Sequence, residues 1–434
     1  MAPASPRREI LVSLLGLGVV GSGIASVLQS KKSLFASLVG CPLVLRRALV
    51  RDPGKPRLIP NSFITTNPED ILGDRATDIV VEVMGEEHPA LEYVQQAISA
   101  EKHVVTANKE IMAKHGPDLL KLASQKEVQL LFEASVGAGI PIIAPLQRDL
   151  LGNNIASIRA IINGTTNYIL TKMANEGQDF ATALRQAQEL GYAEANPAND
   201  VEGHDAAYKL AILATLAFRT KVYPSDIHCE GITRLAPKDF RYAQEFGYAI
   251  KLLAIGRKSN GAVQVTVYPA LVPRDEIIAK VDGVFNAIEI KGDLSGPVLF
   301  HGMGAGSLPT TSAVLGDVIS IARNIAAGAR PAPWLGMDHG LNIKPVTQLQ
   351  TRCYLRLLVA DRPGVLAQIA HILGDRQISI ASVIQKDADP KEGTAEIVIM
   401  THPSLEAAIQ DALVRLNELA VVKKVASFLR VEST

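Results

Sequence analysis

The first 130 residues alternate short apolar runs with stretches whose apolar positions recur at helical spacing. Ile10–Leu15 is an apolar run ending at glycine, and Val19–Gln29 follows as a helix. Ala48–Arg51, Asp78–Val83, His103–Thr106 and Val128–Phe132 read as further strands, with Pro89–Ser99 and Glu110–Ser124 as helices between them. Repeated β-α-β units of this kind predict a parallel sheet covered by helices on both faces.

From about residue 155 the texture changes. Ile155–Ile162 alternates and then runs apolar, and Phe180–Leu190 and Glu202–Phe218 are helix candidates. Tyr248–Arg257 and Ala262–Leu271 read as strands joined by Lys258-Ser259-Asn260-Gly261, a hairpin signal. After a Gly- and Pro-rich linker over 326–350, strands at Cys353–Ala360, Ser379–Gln385, Thr394–Thr401 and Val421–Leu429 enclose helices at Val365–Asp375 and Ser404–Asn417. That is βαββαβ, the ferredoxin-like pattern. The fold class expected is α/β: a parallel-sheet domain over 1–150, a mixed α+β domain over 151–309 and a small βαββαβ domain over 351–434.

Length agrees with that division, since 434 residues exceed what one hydrophobic core holds. Lysine plus arginine and aspartate plus glutamate are 44 each, so no bulk charge draws nucleic acid or an anionic membrane. Cys41, Cys229 and Cys353 are far apart and form no CxxC pair, which fits a reducing compartment, the cytoplasm. No apolar run is long enough to cross a membrane. Arg7 and Arg8 before an apolar stretch have the outline of a signal peptide, but Gly16, Gly18, Gly21 and Gly23 break that stretch.

Four motifs carry candidate chemistry. Gly16-Leu17-Gly18-Val19-Val20-Gly21 is GxGxxG between a strand and a helix, the Rossmann dinucleotide fingerprint, with the helix N-terminus offered to a pyrophosphate. The acidic ribose ligand expected about 20 residues on is not evident; Arg46, Arg47, Arg51, Lys55 and Arg57 stand there instead. They are either surface charge or partners for a 2′-phosphate, which leaves NADP and NAD both open. Thr106-Ala107-Asn108-Lys109 ends a strand, with Asn108 able to cap the next helix and Lys109 beside the cofactor edge.

Asp205 and Lys209 are four apart on a helix that becomes almost wholly apolar. They are either a helix ion pair or a catalytic pair, because a lysine among apolar neighbours can pass protons. Glu133-Ala134-Ser135-Val136-Gly137-Ala138-Gly139-Ile140 is either a strained turn or an oxygen-lined cation site.

In this order the glycine turn, VVTANKE, LFEASVGAGIPII, INGTTNYIL, EANPANDVEGHDAAYKLAIL and HGMGAGSLPTTSAVLGDV resemble homoserine dehydrogenase over about residues 9–325. LVADRPGVLAQIAHILGDRQISI resembles an ACT domain, a ligand-sensing module. The resemblance implies NADPH- or NADH-dependent reduction of L-aspartate 4-semialdehyde to L-homoserine, on the way to threonine, methionine and isoleucine. It implies that helix 310–325 completes the first domain and that the second binds substrate and makes a homodimer, extended by the ACT domain to a homotetramer.

By the same resemblance Lys209 is the proton donor with Asp205 as its neighbour, and Lys109 competes for that role at the cofactor and substrate. Glu194 and Asp200 are substrate-pocket acids, Glu194 meeting the ammonium. Gly16, Gly18, Val19, Val20, Gly21, Arg51, Thr106, Lys109 and Gly306 are implied at the cofactor. Sodium, or another monovalent cation, is implied on Glu133 and the carbonyls of Val136, Ala138 and Ile140. Asp361, Gly364, Val365 and Leu366 are implied to receive an amino-acid effector, L-threonine. One departure stands out: the family's Gly-Gly pair after the third sheet strand is Gly85-Glu86 here.

Overall fold

The computed structural model describes residues 9–433 except Leu58, Asn260, Leu335, Asp338 and His339. Arg7, Arg8 and the hairpin residue Asn260 therefore lie outside the described residues. The chain divides into two compact units. One comprises residues 1–156, 208–224 and 290–341; the other comprises 157–207, 225–289 and 342–434.

The first unit is built on six parallel strands: β1 (Ile10–Leu15), β2 (Leu43–Leu49), β3 (Ile64–Thr65), β4 (Ile79–Glu82), β5 (His103–Thr106) and β6 (Leu130–Leu131). Their order is β3-β2-β1-β4-β5-β6, so the sheet reverses direction at β1/β4. Ligands of open α/β sheets bind at that point, outside the carboxyl ends of the strands. Strand β2 ends at Leu49, two residues before the expected Arg51, which leaves Arg51 in the loop at the sheet's edge.

Helix Ser307–Ala327 is longer than the expected 310–325 and belongs to this unit. It packs on helix Val19–Ser30 and buries Val314, Leu315, Val318 and Ile321 against Ile24, Val81 and Val105. Each such side chain contributes about 1.5–3 kcal/mol by leaving water, so this distant segment is a structural part of the unit.

In the second unit, β7 (Ile155–Ile161), β8 (His228–Cys229), β9 (Tyr248–Ser259) and β10 (Ala262–Pro273) come from the middle of the chain. Strand β11 (Phe285–Gly292) follows, whereas β12 (Gly296–Met303) belongs to the first unit; β13 (Asn342–Ile343), inside the expected linker, pairs with β10. The C-terminal βαββαβ contributes β14 (Gln350–Ala360), β15 (Ile380–Asp389), β16 (Thr394–Thr401), β17 (Ser404–Leu405) and β18 (Val422–Val431). Its sheet runs β18-β14-β16-β15, antiparallel throughout, the ferredoxin-like order.

Helices Val365–Asp375 and Glu406–Glu418 cover this sheet and bury Ile369, Leu373, Ile409 and Leu416. The module is not a separate bead. Its last strand pairs in parallel with the hairpin strand β10, Ala270 opposite Arg430.

Candidate active site

The glycine turn sits at the end of β1. Gly16 has φ +107°, a conformation L side chains rarely adopt, and a Cβ there would lie 2.9 Å from the Val83 carbonyl. A Cβ on Gly21 would lie 2.3 Å from the Gly16 carbonyl, whereas one on Gly18 would meet nothing within 4 Å. The outer two glycines are therefore demanded by the fold, and the middle one leaves open space beside the first amides of helix Val19–Ser30. Those amides lack intrahelical acceptors, and the helix dipole favours an anion there. These are the features a pyrophosphate needs.

A cleft of about 490 Å³ opens from this turn, lined by Gly16, Gly18, Arg51, Asp52, Lys55 and Arg57 among others. Arg57 is held by the carbonyls of Asp52 (2.7 Å) and Lys55 (2.9 Å). Arg46 is held by Asp74 at 3.0 Å and does not line the cleft. Arg51 extends to 4.0 Å from Glu86, with both side chains largely exposed.

A second cleft in the same unit, about 410 Å³, collects Val20, Lys109, Val136, Ala138, Gly306 and Lys209 from segments far apart in the chain. Lys109 opens helix Lys109–Gln125, and the preceding Asn108 caps it, its Oδ1 accepting the amides of Glu110 (3.0 Å) and Ile111 (3.2 Å). Thr106 lines neither cleft. It is buried, and its hydroxyl is donated to Glu82 at 2.5 Å.

Glu82, absent from the expected site, is wholly buried at the end of β4 and also accepts the Met84 amide at 2.7 Å. Burial pushes its carboxyl up, against the hydrogen bonds from Thr106 and Met84. One signal was visible: a single acid closing a strand that is otherwise Ile79-Val80-Val81.

The glutamate–glycine turn differs from the expectation in one respect. The Glu133 carboxylate is engaged by the amides of Ile142 (2.5 Å), Ile143 (2.7 Å) and Ala144 (2.8 Å), at the start of the helical turn before Pro145–Asp149. A carboxylate among three N–H donors is a cap, so what residue 133 can offer a cation is its carbonyl. Among the described residues no cluster of three His, Cys, Asp or Glu could hold a metal.

In the second unit, Asn163 ends β7 and caps helix Gly164–Glu176 through its Oδ1, 2.8 Å from the Thr166 amide. Its Nδ2 donates to Asp200 at 2.7 Å and to Asp205 at 3.0 Å. One side-chain amide thus gathers the two acids, which lie on the short helix Ala198–Val201 and at the start of helix His204–Phe218. Asp205 is buried and Asp200 half-buried. Glu194 is exposed on the loop before them. Lys209 follows Asp205 by one turn of the same helix. Asn163 lies in the motif INGTTNYIL, where sequence alone assigned it no role.

The segment expected to receive an effector begins helix Val365–Asp375. Gly364 caps it in the left-handed region, Asp361 and Leu366 are exposed, and Val365 is turned into the core, leaving only its main chain outward.

Three family descriptions match. Residues 16–133 match "Homoserine dehydrogenase, NAD binding domain", 141–319 match "Homoserine dehydrogenase" and 354–420 match "ACT domain". The homoserine dehydrogenase of Synechocystis sp. is 43% identical, covering 98% of this chain and all of that one. The chain belongs to the homoserine dehydrogenase family. It is thereby an NAD(P)-dependent oxidoreductase with a C-terminal ACT domain. A homoserine dehydrogenase structure from Thiobacillus denitrificans superposes with TM-score 0.88 at 40% identity, over 98% of each chain. A hyperthermophilic archaeal homoserine dehydrogenase solved in complex with NADPH matches 72% of this chain and 97% of its own, at 28% identity and TM-score 0.61. Among the described residues no helix is long and apolar enough to cross a membrane.

Proposed function

We propose that the chain reduces L-aspartate 4-semialdehyde to L-homoserine, in the route to threonine, methionine and isoleucine, with L-threonine acting on the ACT domain. The observation that carries the reading is the cleft in which Lys109 and Lys209 line one space with Val20 and Gly306. The turn of Gly16, Gly18, Val19, Val20 and Gly21 holds the pyrophosphate, with Gly16 and Gly18 lining the cleft and Gly21 packing the turn, and Arg51 reaches toward the adenosine ribose. A bound nicotinamide supplies the hydride. Lys209 delivers a proton to the aldehyde oxygen, with Lys109 as the alternative donor. Asp205 orients Lys209, and Glu194 and Asp200 attract the substrate ammonium. Asn163, by donating to both Asp200 and Asp205, keeps two acids at usable distance despite their repulsion.

The monovalent cation reading keeps four carbonyls, those of Glu133, Val136, Ala138 and Ile140. In support, the Glu133 side chain is occupied as a cap, and Ala138 has φ +46°, as a tightly curled main chain requires. Cation binding is read as a rise in melting temperature in sodium chloride over choline chloride at equal ionic strength. The assembly expected is a homodimer or homotetramer, read by light scattering, and three cysteines that form no disulfide fit the cytoplasm.

The test is NADPH oxidation by the full chain with L-aspartate 4-semialdehyde, with and without L-threonine. Threonine-sensitive oxidation supports the whole reading. Oxidation indifferent to threonine removes the effector role and keeps the reaction. No oxidation with either cofactor, sodium present, overturns the reaction.

A further inference from the structure

Arg430, in the last strand of the ACT domain, is only 1% exposed. Its guanidinium lies between two aromatic rings, 4.5 Å from the Tyr268 centroid and 4.8 Å from that of Phe428. It donates to Glu406 within the module, at 3.0 and 2.6 Å. It also donates to Glu230 outside the module, at 3.0 and 2.8 Å. His228 meets the same Glu230 carboxylate at 2.6 Å. A buried guanidinium with four such bonds has one orientation, and it fixes Glu230 in another.

Glu230 follows strand β8, and its main chain leads directly to the acid turn. Its amide donates to the Val267 carbonyl at 2.8 Å, and the Ile232 amide donates to the Val201 carbonyl at 2.9 Å. Between them stands Gly231. A Cβ there would lie 2.4 Å from the Val201 carbonyl and 2.7 Å from the Glu202 Cα, so the two backbones touch with no room between. The Cys229 thiol donates to the Glu202 carbonyl at 3.2 Å. Val201 and Glu202 are flanked by Asp200 on one side and, after Gly203 and His204, by Asp205 on the other. The segment 229–232 is thus the backing of the turn that presents both acids to Asn163.

We propose that Arg430, acting through Glu230, is a positioning residue for the acid turn 198–205, so that the ACT domain sets how Asp200 and Asp205 are presented. The proposal rests on the reading in which that turn binds the substrate ammonium. No movable linker is required, because the path runs through side chains and main chain packed within one unit.

The experiment uses the full chain with Glu230→Gln, Arg430→Met and Arg430→Lys, and two readouts. The first is amide hydrogen exchange. Exchange across 198–207 and at Ile232 is expected to quicken at least tenfold in Glu230→Gln, with β1 unchanged as an internal control. The second is steady-state kinetics of L-homoserine oxidation. KM for homoserine is expected to rise about fivefold while kcat and the cofactor KM stay within twofold, with Arg430→Lys closer to wild type than Arg430→Met.

Arg430→Met leaves the buried Glu406 and the half-buried Glu230 without the cation between them and can fail to fold; Glu230→Gln keeps shape and one acceptor, and decides the matter in that event. Wild-type exchange across 198–207 in folded Glu230→Gln overturns the proposal. A wild-type enzyme that does not oxidise homoserine overturns the reaction reading instead, and the exchange result still decides the positioning role.

Discussion

Glu82 and Thr106 form a buried carboxylate–hydroxyl pair, 2.5 Å apart, at the carboxyl ends of adjacent parallel strands. Glu82 Oε1 holds the Met84 amide, and Thr106 Oγ1 accepts the Asn108 amide at 3.0 Å. Asn108 in turn donates through Nδ2 to the Glu86 carbonyl at 2.6 Å. The ring ties the loop after β4 to the loop that carries Lys109. Glu82→Ala leaves the Met84 amide and the Thr106 hydroxyl buried without an acceptor, at a cost of about 1–3 kcal/mol. Cofactor affinity, measured by titration of NADPH fluorescence, is expected to fall about tenfold or more. Glu82→Gln should lose less, because the Thr106 hydroxyl can turn to accept from the new amide. Wild-type affinity in a folded Glu82→Ala would show that the pair does not shape the cleft.

Two lysines share one cleft, and only one can deliver the proton. Loss of a general acid typically costs about 10²–10⁴-fold in rate. Lys209→Ala is expected to lose turnover on that scale while binding NADPH normally. Lys109, on the rim beside the Asn108 cap, is expected to affect KM more than kcat when replaced by alanine. The opposite ranking in single-turnover assays would transfer the donor role to Lys109.

The β-α-β series was legible because most of its strands are apolar, with Gly16 sitting where the main chain must turn. The βαββαβ module was legible for the same reason. Its seating was not: Arg430, Arg356 and Glu432 belong to no motif singled out in the sequence, yet each is buried in an ion cluster against the hairpin half of its unit. Arg356 joins Asp239 to Glu396, and Glu432 accepts from Tyr268. Sequence spacing carries no sign of partners more than 100 residues away. The site shows the same limit. Lys109, Asp205 and Lys209 carry charges that their motifs make conspicuous, whereas Glu82 and Asn163 act by joining segments that only the fold brings together.

Glu86 has φ +60°, a left-handed conformation that costs a residue with a side chain about 1–2 kcal/mol. Its carboxylate stands 4.0 Å from Arg51 at the cofactor cleft. The pair is exposed and therefore weak, but if Arg51 meets a 2′-phosphate, as proposed, the carboxylate offsets part of its charge. Glu86→Gly is expected to tighten NADPH about threefold, leave NADH nearly unchanged and stabilise the fold slightly. Arg51→Ala is expected to weaken NADPH by a similar factor or more. If neither variant alters the ratio of the two dissociation constants, the pair has no part in cofactor choice.

Asp317 lies in helix Ser307–Ala327 with its carboxylate 2.9 Å from the Glu133 amide. Burial, reinforced by the nearby Glu133 carboxylate, pushes its carboxyl up to about 7, although the hydrogen bond from the Glu133 amide opposes this. An acid raised in the folded state binds its proton more tightly there than in the unfolded chain. Its stabilising contribution is full below about pH 4, is progressively lost as pH rises through 7, and does not change further above that. Asp317→Asn keeps an oxygen to accept the Glu133 amide and has no charge to bury. It is therefore expected to gain on wild type by on the order of 1–3 kcal/mol between pH 5 and pH 8. The acids held low, Glu87 and Glu230 at about 2, act at the other end of the scale and leave this window untouched. Denaturant unfolding of both proteins from pH 5 to pH 8 measures the difference. A gap that does not widen with pH would mean that Asp317 is already ionised in the fold, with the Glu133 amide sufficient to hold its charge.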